Sequence, residues 1–343
     1  FFAMTLFKTR NSKQEEILMK RFLALLLAAM MVFSLCACGN SGDDDKDVKN
    51  DDGAATLDFA TGGEQGTYYA FGTVLAQQVS EKTATQVTAV SSNGSQANVE
   101  DIDGRAVQLA FVQSDVMSYA YQGEKLFTEK VNSFSVVAAL YLEQVQIVTL
   151  DPDIKTVADL EGKTVSIGAK GSGVYFNALD ILGAYGLSES DIKAEYLNFG
   201  DSTDSLKDGK IDAAFVVAGA PTPAVQDLAT GKQVYLVSLD AEHVASLIET
   251  SPYYKEYTIA KSVYNTPEDV TTVAVGAVVI ARDDVSEAAI YNFVSSIFED
   301  IDSIGHAKKA ELDLEFAASI TDVPYHPGAA KYFAEKDIEV ATK

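Results

Sequence analysis

Cysteine occurs only twice in the 343 residues, as Cys36 and Cys38, both near the start of the chain. No disulfide can staple the body of the protein, so stability has to come from packing, for which the length beyond Cys38 suffices to build two domains. Histidine occurs three times, as His243, His306 and His326, with no metal-ligand spacing, and the chain has no G-x-S-x-G nucleophile turn. No catalytic residue, metal or other cofactor is therefore expected. Nucleotide-binding turns fail as well: Val157 stands where a P-loop leading to Gly162-Lys163-Thr164 needs glycine, and Thr61–Gly66 does not read G-x-G-x-x-G. Basic residues are few, 26 against 50 acidic, giving a net charge of −24 that disfavours nucleic acid and anionic lipid. Arginine is scarce among them: beyond residue 37 only Arg105 and Arg282 remain.

What the chain does contain begins with an export signal. Met19-Lys20-Arg21, an apolar run from Phe22 to Phe33, and Leu35-Cys36-Ala37-Cys38-Gly39 follow the order of a secretory leader, too short for a stable membrane span. Its end resembles a bacterial lipobox, which makes residues 19–37 a lipoprotein signal peptide and Cys38 the lipid-bearing mature N-terminus. An ordinary leader with an incidental cysteine is the other reading. Residues 1–18 read as an over-extended start that is not translated. Removing residues 1–37, with five basic and two acidic side chains, moves the net charge from −24 to −27. Residues 38–54 are a polar tether rich in aspartate, in which no frame supplies both the glycine and the glutamate of a calcium loop.

From Leu57 onward short apolar runs alternate with amphipathic segments, the signature of βαβ units and a mainly parallel sheet. Strands are expected at Leu57–Ala60, Val87–Val90, Leu109–Val112 and Val136–Leu140, with helices at Tyr68–Ser80 and Ala97–Ile102. A second set of strands follows at Val145–Leu150, Thr164–Ile167, Ala194–Leu197, Ala213–Val217 and Val234–Val237. Its helices are Tyr175–Tyr185, Thr203–Leu206 and Ala224–Leu228, with Gly186 and Gly209 as their C-terminal caps. The helix Val244–Ile248, the strand Val273–Ile280 and helices at Glu287–Ile301, Leu312–Ala318 and after Pro327 complete the chain. The expected organisation is lobe 1 over 55–143, lobe 2 over 144–270, and a return to lobe 1 over 271–343. The crossings near Tyr141–Leu150 and Asp269–Ala281 are hinge candidates.

The two sets repeat each other. Gly66-Thr67-Tyr68-Tyr69 is matched about a hundred residues later by Gly173-Val174-Tyr175-Phe176, and Asp103-Gly104-Arg105 by Asp208-Gly209-Lys210. Each glycine-rich stretch, Thr61–Thr67 and Gly168–Gly173, follows a strand and opens a helix, where free backbone N–H groups can hold an anion. Glycines that merely make tight turns are the alternative.

Gly62–Tyr69, Val112-Gln113-Ser114-Asp115, Gly168–Gly173, Phe215–Thr222 and His326-Pro327-Gly328 together resemble the TAXI family, in one order over Leu57–Lys336. These are extracytoplasmic solute receptors of tripartite ATP-independent periplasmic (TRAP) transporters. The resemblance implies an α/β, two-lobed type II periplasmic-binding-protein fold, each lobe a mainly parallel sheet flanked by helices, joined by two hinge strands. It implies a monomeric, non-enzymatic, lipid-anchored receptor outside the cytoplasmic membrane. Such a receptor captures a small carboxylate or an amino acid such as glutamate or glutamine and delivers it to TRAP permease subunits. The rival in the same fold is the receptor of an ATP-driven importer; a sensory or enzymatic module is the rival from another class.

Carried over by position, the ligand shell is Gly66, Thr67, Tyr68 and Tyr69, then Gln113, Ser114 and Asp115, then Ser172, Gly173 and Asn177, then Gly219, Pro221 and Thr222. Ser92–Ser95 is a weaker candidate. Backbone amides with the Thr67 or Ser172 hydroxyl would hold a carboxylate, Asp115 would accept from an amine, and Tyr68 or Tyr69 would wall the cleft. Each has a plain alternative: packing for the tyrosines and helix capping for Asp115. Neither arginine is placed to clamp a carboxylate, so Lys170 joins the candidates, with a solvated loop lysine as its alternative. N-terminal sequencing of the precursor is expected to find translation starting at Met19; a precursor that starts upstream would overturn that assignment.

Overall fold

A computed structural model describes residues 52–343. The export signal, Cys38 and the tether as far as Asp51 lie outside the described residues. The first lobe opens with β1 (Thr56–Ala60), α1 (Thr67–Lys82), β2 (Gln86–Val90), α2 (Ser95–Asp103), β3 (Leu109–Gln113) and α3 (Ser114–Gln122). Along α1, Phe71, Leu75 and Val79 recur every four residues and are fully buried, while Lys82 sits in the last turn, where the helix dipole favours a cation. β1 pairs in parallel with both β2 and β3, as the βαβ pattern requires.

A long strand follows, β4 (Phe134–Thr149). The sequence suggests two strands here, Val136–Leu140 and Val145–Leu150. The structure joins them, because Tyr141 to Gln144 also pair with a neighbouring strand and leave no break in the ladder. The second lobe contains β5 (Thr164–Ser166), α4 (Gly173–Ala184), β6 (Lys193–Glu195), α5 (Phe199–Lys207), β7 (Ala213–Ala218), α6 (Pro223–Gly231), β8 (Tyr235–Leu236), α7 (Ala241–Thr250) and β9 (Lys255–Ile259). The chain then runs through β10 (Val270–Arg282), α8 (Glu287–Phe298), the short α9 (Leu314–Ala317) and α10 (Pro327–Ala334). Helix α5 starts four residues before the expected Thr203, because the Asn198 side chain caps it by accepting from the Asp201 amide at 2.9 Å. Strand β9 escapes a hydrophobicity reading because Lys-Glu-Tyr-Thr-Ile is largely polar. Gly186 and Gly209 stand just beyond α4 and α5 in the left-handed region, φ +74° and +68°, as helix-ending glycines.

The strand order is β2-β1-β3-β10-β4-β7-β5-β6, with β8 added to β4 and β9 to β10. β4 and β10 are antiparallel and serve both lobes. The end of β10 carries β3, through Ala277–Ala281, while its beginning carries β9. The end of β4 carries β7, through Gln144–Thr149. The ladder between β4 and β10 slips its register between Ala277 and Val278 and again between Val279 and Ile280, where bulges sharpen the twist.

Each lobe has its own core. In the first, Phe59, Phe111 and Phe71 of the sheet and α1 pack with Phe293 of α8 and Phe333 of α10, so the closing helices complete this core. In the second, β7 sends Phe215 and Val217 to one face and Ala214 and Val216 to the other, a strand covered on both sides. Phe293 meets Phe59 edge-on at 5.7 Å and is fully buried. Phe293→Ala is expected to cost about 3–5 kcal/mol, read as a lower midpoint in urea unfolding; an unchanged midpoint would show that α8 contributes nothing to this core.

Candidate functional site

The carboxyl ends of β1 and β3 face those of β5 and β7 across the middle of β4 and β10, and helix N-termini gather in the gap. Three of them, those of α1, α2 and α4, begin at Gly66, Gly94 and Ser172, and none receives a hydrogen bond from its cap side chain. Their first turns thus lack a side-chain acceptor from the cap, and in α2 the Ala97 amide donates to the Gly171 carbonyl of the other lobe at 2.9 Å. Between the lobes lies a cavity. Gly62, Gly63, Gly66, Thr67, Tyr68, Ser92–Ser95, Gln113 and Glu143 line it from the first lobe and the crossing strand. Ala169, Ser172, Gly173, Val174, Leu197–Phe199, Val217 and Ala218 line it from the second.

Of the residues singled out in the sequence, Gly66, Thr67, Tyr68, Gln113, Ser172 and Gly173 meet on this wall, with the weaker group Ser92–Ser95. The Ser172 hydroxyl and Gln113 Oε1 are buried and have no partner among the described residues. Gly173 is required by space: a Cβ there would stand 1.7 Å from Gln113 Oε1. Tyr68 has both of its candidate roles, since its ring stacks on Phe111 at 4.6 Å while its hydroxyl reaches the cavity wall at Glu143.

The remaining candidates stand elsewhere. Asn177 and Asp115 tie the lobes together beside the cavity: Asn177 Nδ2 donates to Asp115 Oδ2 at 2.8 Å and to the Tyr254 hydroxyl at 2.9 Å, and Asn177 Oδ1 accepts from Gln113 Nε2 at 3.0 Å. Asp115 lies in the first turn of α3, whose cap position is held by Gln113. Ser114 Oγ accepts from the Gly276 amide at 2.9 Å, joining α3 to β10. Gly219 offers its carbonyl to Thr67 Oγ1 at 2.7 Å, a second bond between lobes, and a Cβ at Gly219 would meet Lys308 Cε at 2.4 Å. Thr222 is buried as the cap residue of α6, with its amide on the Tyr264 hydroxyl at 2.7 Å, and Pro221 is exposed. Tyr69 is half-buried on α1, off the wall. Lys170 is exposed, its ammonium 4.8 Å over the ring of Tyr196.

Glu143 is the residue that sequence reasoning passed over. It sits on β4, within 2% of complete burial, and accepts from the Tyr68 hydroxyl at 2.7 Å. Burial pushes its carboxyl well above the usual range, against the opposing hydrogen bond from Tyr68. The signal that could have exposed it was Glu143-Gln144 and Gln146 interrupting an otherwise apolar sixteen-residue strand. Neither arginine is near: Arg105 and Arg282 both pair with Asp284. The histidines are structural: His306 and His326 cap helical turns, and His243 pairs with Asp240. Among the described residues no group of three or more His, Cys, Asp or Glu side chains could hold a metal ion, and no helix is long and apolar enough to cross a membrane.

Two α/β lobes sharing two long strands, with a cavity at the strand ends between them, define the type II periplasmic-binding-protein class. Within it, the model described as the NMT1-like family matches residues 59–336, and the chain belongs to that family, which is of the periplasmic solute-binding type. Among solved structures, a protein from Bordetella bronchiseptica RB50 is 16% identical over 76% of each chain, with a TM-score of 0.51. MatC from Rhodopseudomonas palustris with bound malate is 12% identical over 74% of this chain and 86% of its own, with a TM-score of 0.51. These likenesses show the fold.

Asp115 gives this region a pH dependence. Burial raises its carboxyl to about 7, with the Asn177 hydrogen bond and neighbouring backbone amides opposing. An unfolded aspartate titrates near 3.9, so between those values the folded state holds the extra proton. Stability contributed by this residue is full below the lower value and falls as pH rises to the higher one, by up to about 1.4 kcal/mol per pH unit. Asp115→Asn is expected to flatten this part of the melting-temperature profile; an unaltered profile from pH 4 to pH 7 would refute the assignment.

Proposed function

We propose that this protein is the extracytoplasmic receptor of a TRAP transporter of the TAXI type, anchored by lipid on Cys38. It captures a small carboxylate or an amino acid, with glutamate and glutamine the leading candidates, and presents it to a membrane permease driven by an ion gradient. The observation that carries this reading is the convergence of three helix N-termini without side-chain caps on one cavity walled by both lobes. Such a constellation suits an anion, because each terminus concentrates partial positive charge and free N–H donors. The carboxylate lies against the amides at Thr67, Ser95 and Gly173, with the Ser172 hydroxyl, unpartnered in the wall, added to the set. The malate held by MatC is itself a small carboxylate.

No arginine is needed in this arrangement. Amides and hydroxyls hold a carboxylate through several partial charges, and burial strengthens each of them. Binding draws the lobes together, because the wall belongs to both, and the permease recognises the closed form. Thermal melting against amino acids and small organic acids tests the ligand class. At a hundred times its Kd a true ligand adds about 2.7 kcal/mol, so a clear rise in midpoint is expected from at least one member; a flat response across the panel at millimolar concentration would sink this reading. Uptake into vesicles carrying TRAP permease subunits, dependent on this receptor and on an ion gradient rather than ATP, tests the transporter type.

A further inference from the structure

Glu143 is a carboxyl on the wall of a cavity otherwise furnished with hydrogen-bond donors for an anion. One of its oxygens accepts from Tyr68, and no other hydrogen bond to this side chain occurs among the described residues. The groups that face it are Tyr68 from α1, Tyr141 from its own strand, Asp115 from α3 and Lys308 from the turn at Ala307–Glu311. Lys308 is the only cation among them, and it is engaged by Glu311 and does not line the cavity. The carboxyl therefore has no ion-pair partner among the described residues, and it lines the cavity.

We propose that Glu143 is a specificity-determining residue that accepts the ammonium group of the ligand, selecting amino acids over the corresponding acids that lack the amine. This rests on the amino-acid arm of the function proposed above. The two ends of the ligand are then read by opposite chemistry: the carboxylate by amide donors at the helix starts, the ammonium by Glu143. A dicarboxylate that placed its second charge beside Glu143 would set two acids against each other and would have to carry a proton into the cavity. Burial raises the Glu143 carboxyl and so favours its protonated form. An arriving ammonium favours the ionised carboxylate, so binding releases a proton and affinity for amine-bearing ligands rises with pH. Tyr68 holds the carboxyl in place through its hydroxyl, and its own stacking on Phe111 fixes that hydroxyl.

The test uses the purified protein and titration calorimetry with matched pairs: L-glutamate against glutarate and 2-oxoglutarate, and L-glutamine against glutaramate. The amine-bearing member is expected to bind about tenfold to a hundredfold more tightly, the range of one charge-assisted hydrogen bond. Repeating the titration in buffers of different ionisation enthalpy is expected to show a proton released on binding of the amine-bearing member and none on binding of its partner. Glu143→Gln, which keeps an acceptor for Tyr68, is expected to lose both the preference and the release. Pairs that bind equally to the wild-type protein, or a preference that survives in Glu143→Gln, would overturn the assignment while leaving the carboxylate reading intact. The wild-type measurements decide alone if the variant does not fold. Binding of no member of any pair would remove the ligand class proposed above, and this inference with it.

Discussion

The pairing of β4 with β10 is the constraint on which everything else hangs. Phe134–Gln144 of one strand lie antiparallel to Ala274–Arg282 of the other, and each lobe grows from an opposite end of that pair. β3 extends the sheet on one side at the end of β10, and β7 extends it on the other at the end of β4. Because the added strands run in parallel βαβ units, their carboxyl ends and the helix starts behind them face inward toward the middle of the pair. The cavity is therefore a consequence of the topology. Glu143 of β4 lines it, while Gln144 and Gln146 of the same strand bond to the chain after β7, Gln144 Oε1 accepting from the Ala220 amide and Gln146 Nε2 donating to the Ala218 carbonyl.

That placement also explains how an anion-favouring cavity exists in so acidic a protein without a cation on its wall. Helix N-termini provide partial charges that need no neutralising partner in the empty site, whereas a buried arginine would need an acid beside it. Both arginines beyond residue 37 are held by Asp284 at the far edge of the first lobe, and Lys308 is held by Glu311. On the same wall, burial raises the Glu143 carboxyl and so weakens its tendency to carry a charge opposing the field of the helices. Asp115 follows the same rule a short distance away, with Asn177 of the other lobe taking one of its oxygens.

Much of this was legible in the residues, and the reasons for the rest are physical. Alternation of apolar runs with amphipathic segments marked β1, β3, β7 and α1, because these elements are buried in a regular rhythm. The glycine-rich turns at Gly66 and Gly173 could be located because a helix start after a parallel strand has few ways to be built. β4 was split in reading because polarity at its centre imitates a turn, when in fact backbone pairing is indifferent to side-chain polarity. Asn177 and Asp115 could be named but not placed: their contact spans 62 residues of chain, and only the approach of the lobes makes it. Pro221 and Lys170 belong to the right loops, yet loop membership says nothing of which way a side chain turns.

The lobes are held to each other by polar bonds around the cavity and by Phe176 of α4, whose ring stacks on Tyr119 and Phe127 of the first lobe. Thr67 reaches the Gly219 carbonyl, the Ala97 amide reaches Gly171, the Ala224 amide reaches Gln65, and Asn177 bridges Gln113 and Asp115. Each such bond contributes about 1 kcal/mol net, because separated lobes would satisfy the same groups with water. Most of the apolar burial lies inside each lobe, while Phe176 of the second lobe is buried in the first-lobe core. A small molecule touching both walls adds to the contacts that favour the joined lobes. Gly173 shows how tightly the joined state is fitted: an added methyl would collide with Gln113 of the other lobe. A fold with a shared pair of strands and a seam closed in large part by polar bonds is thereby responsive to what enters the seam.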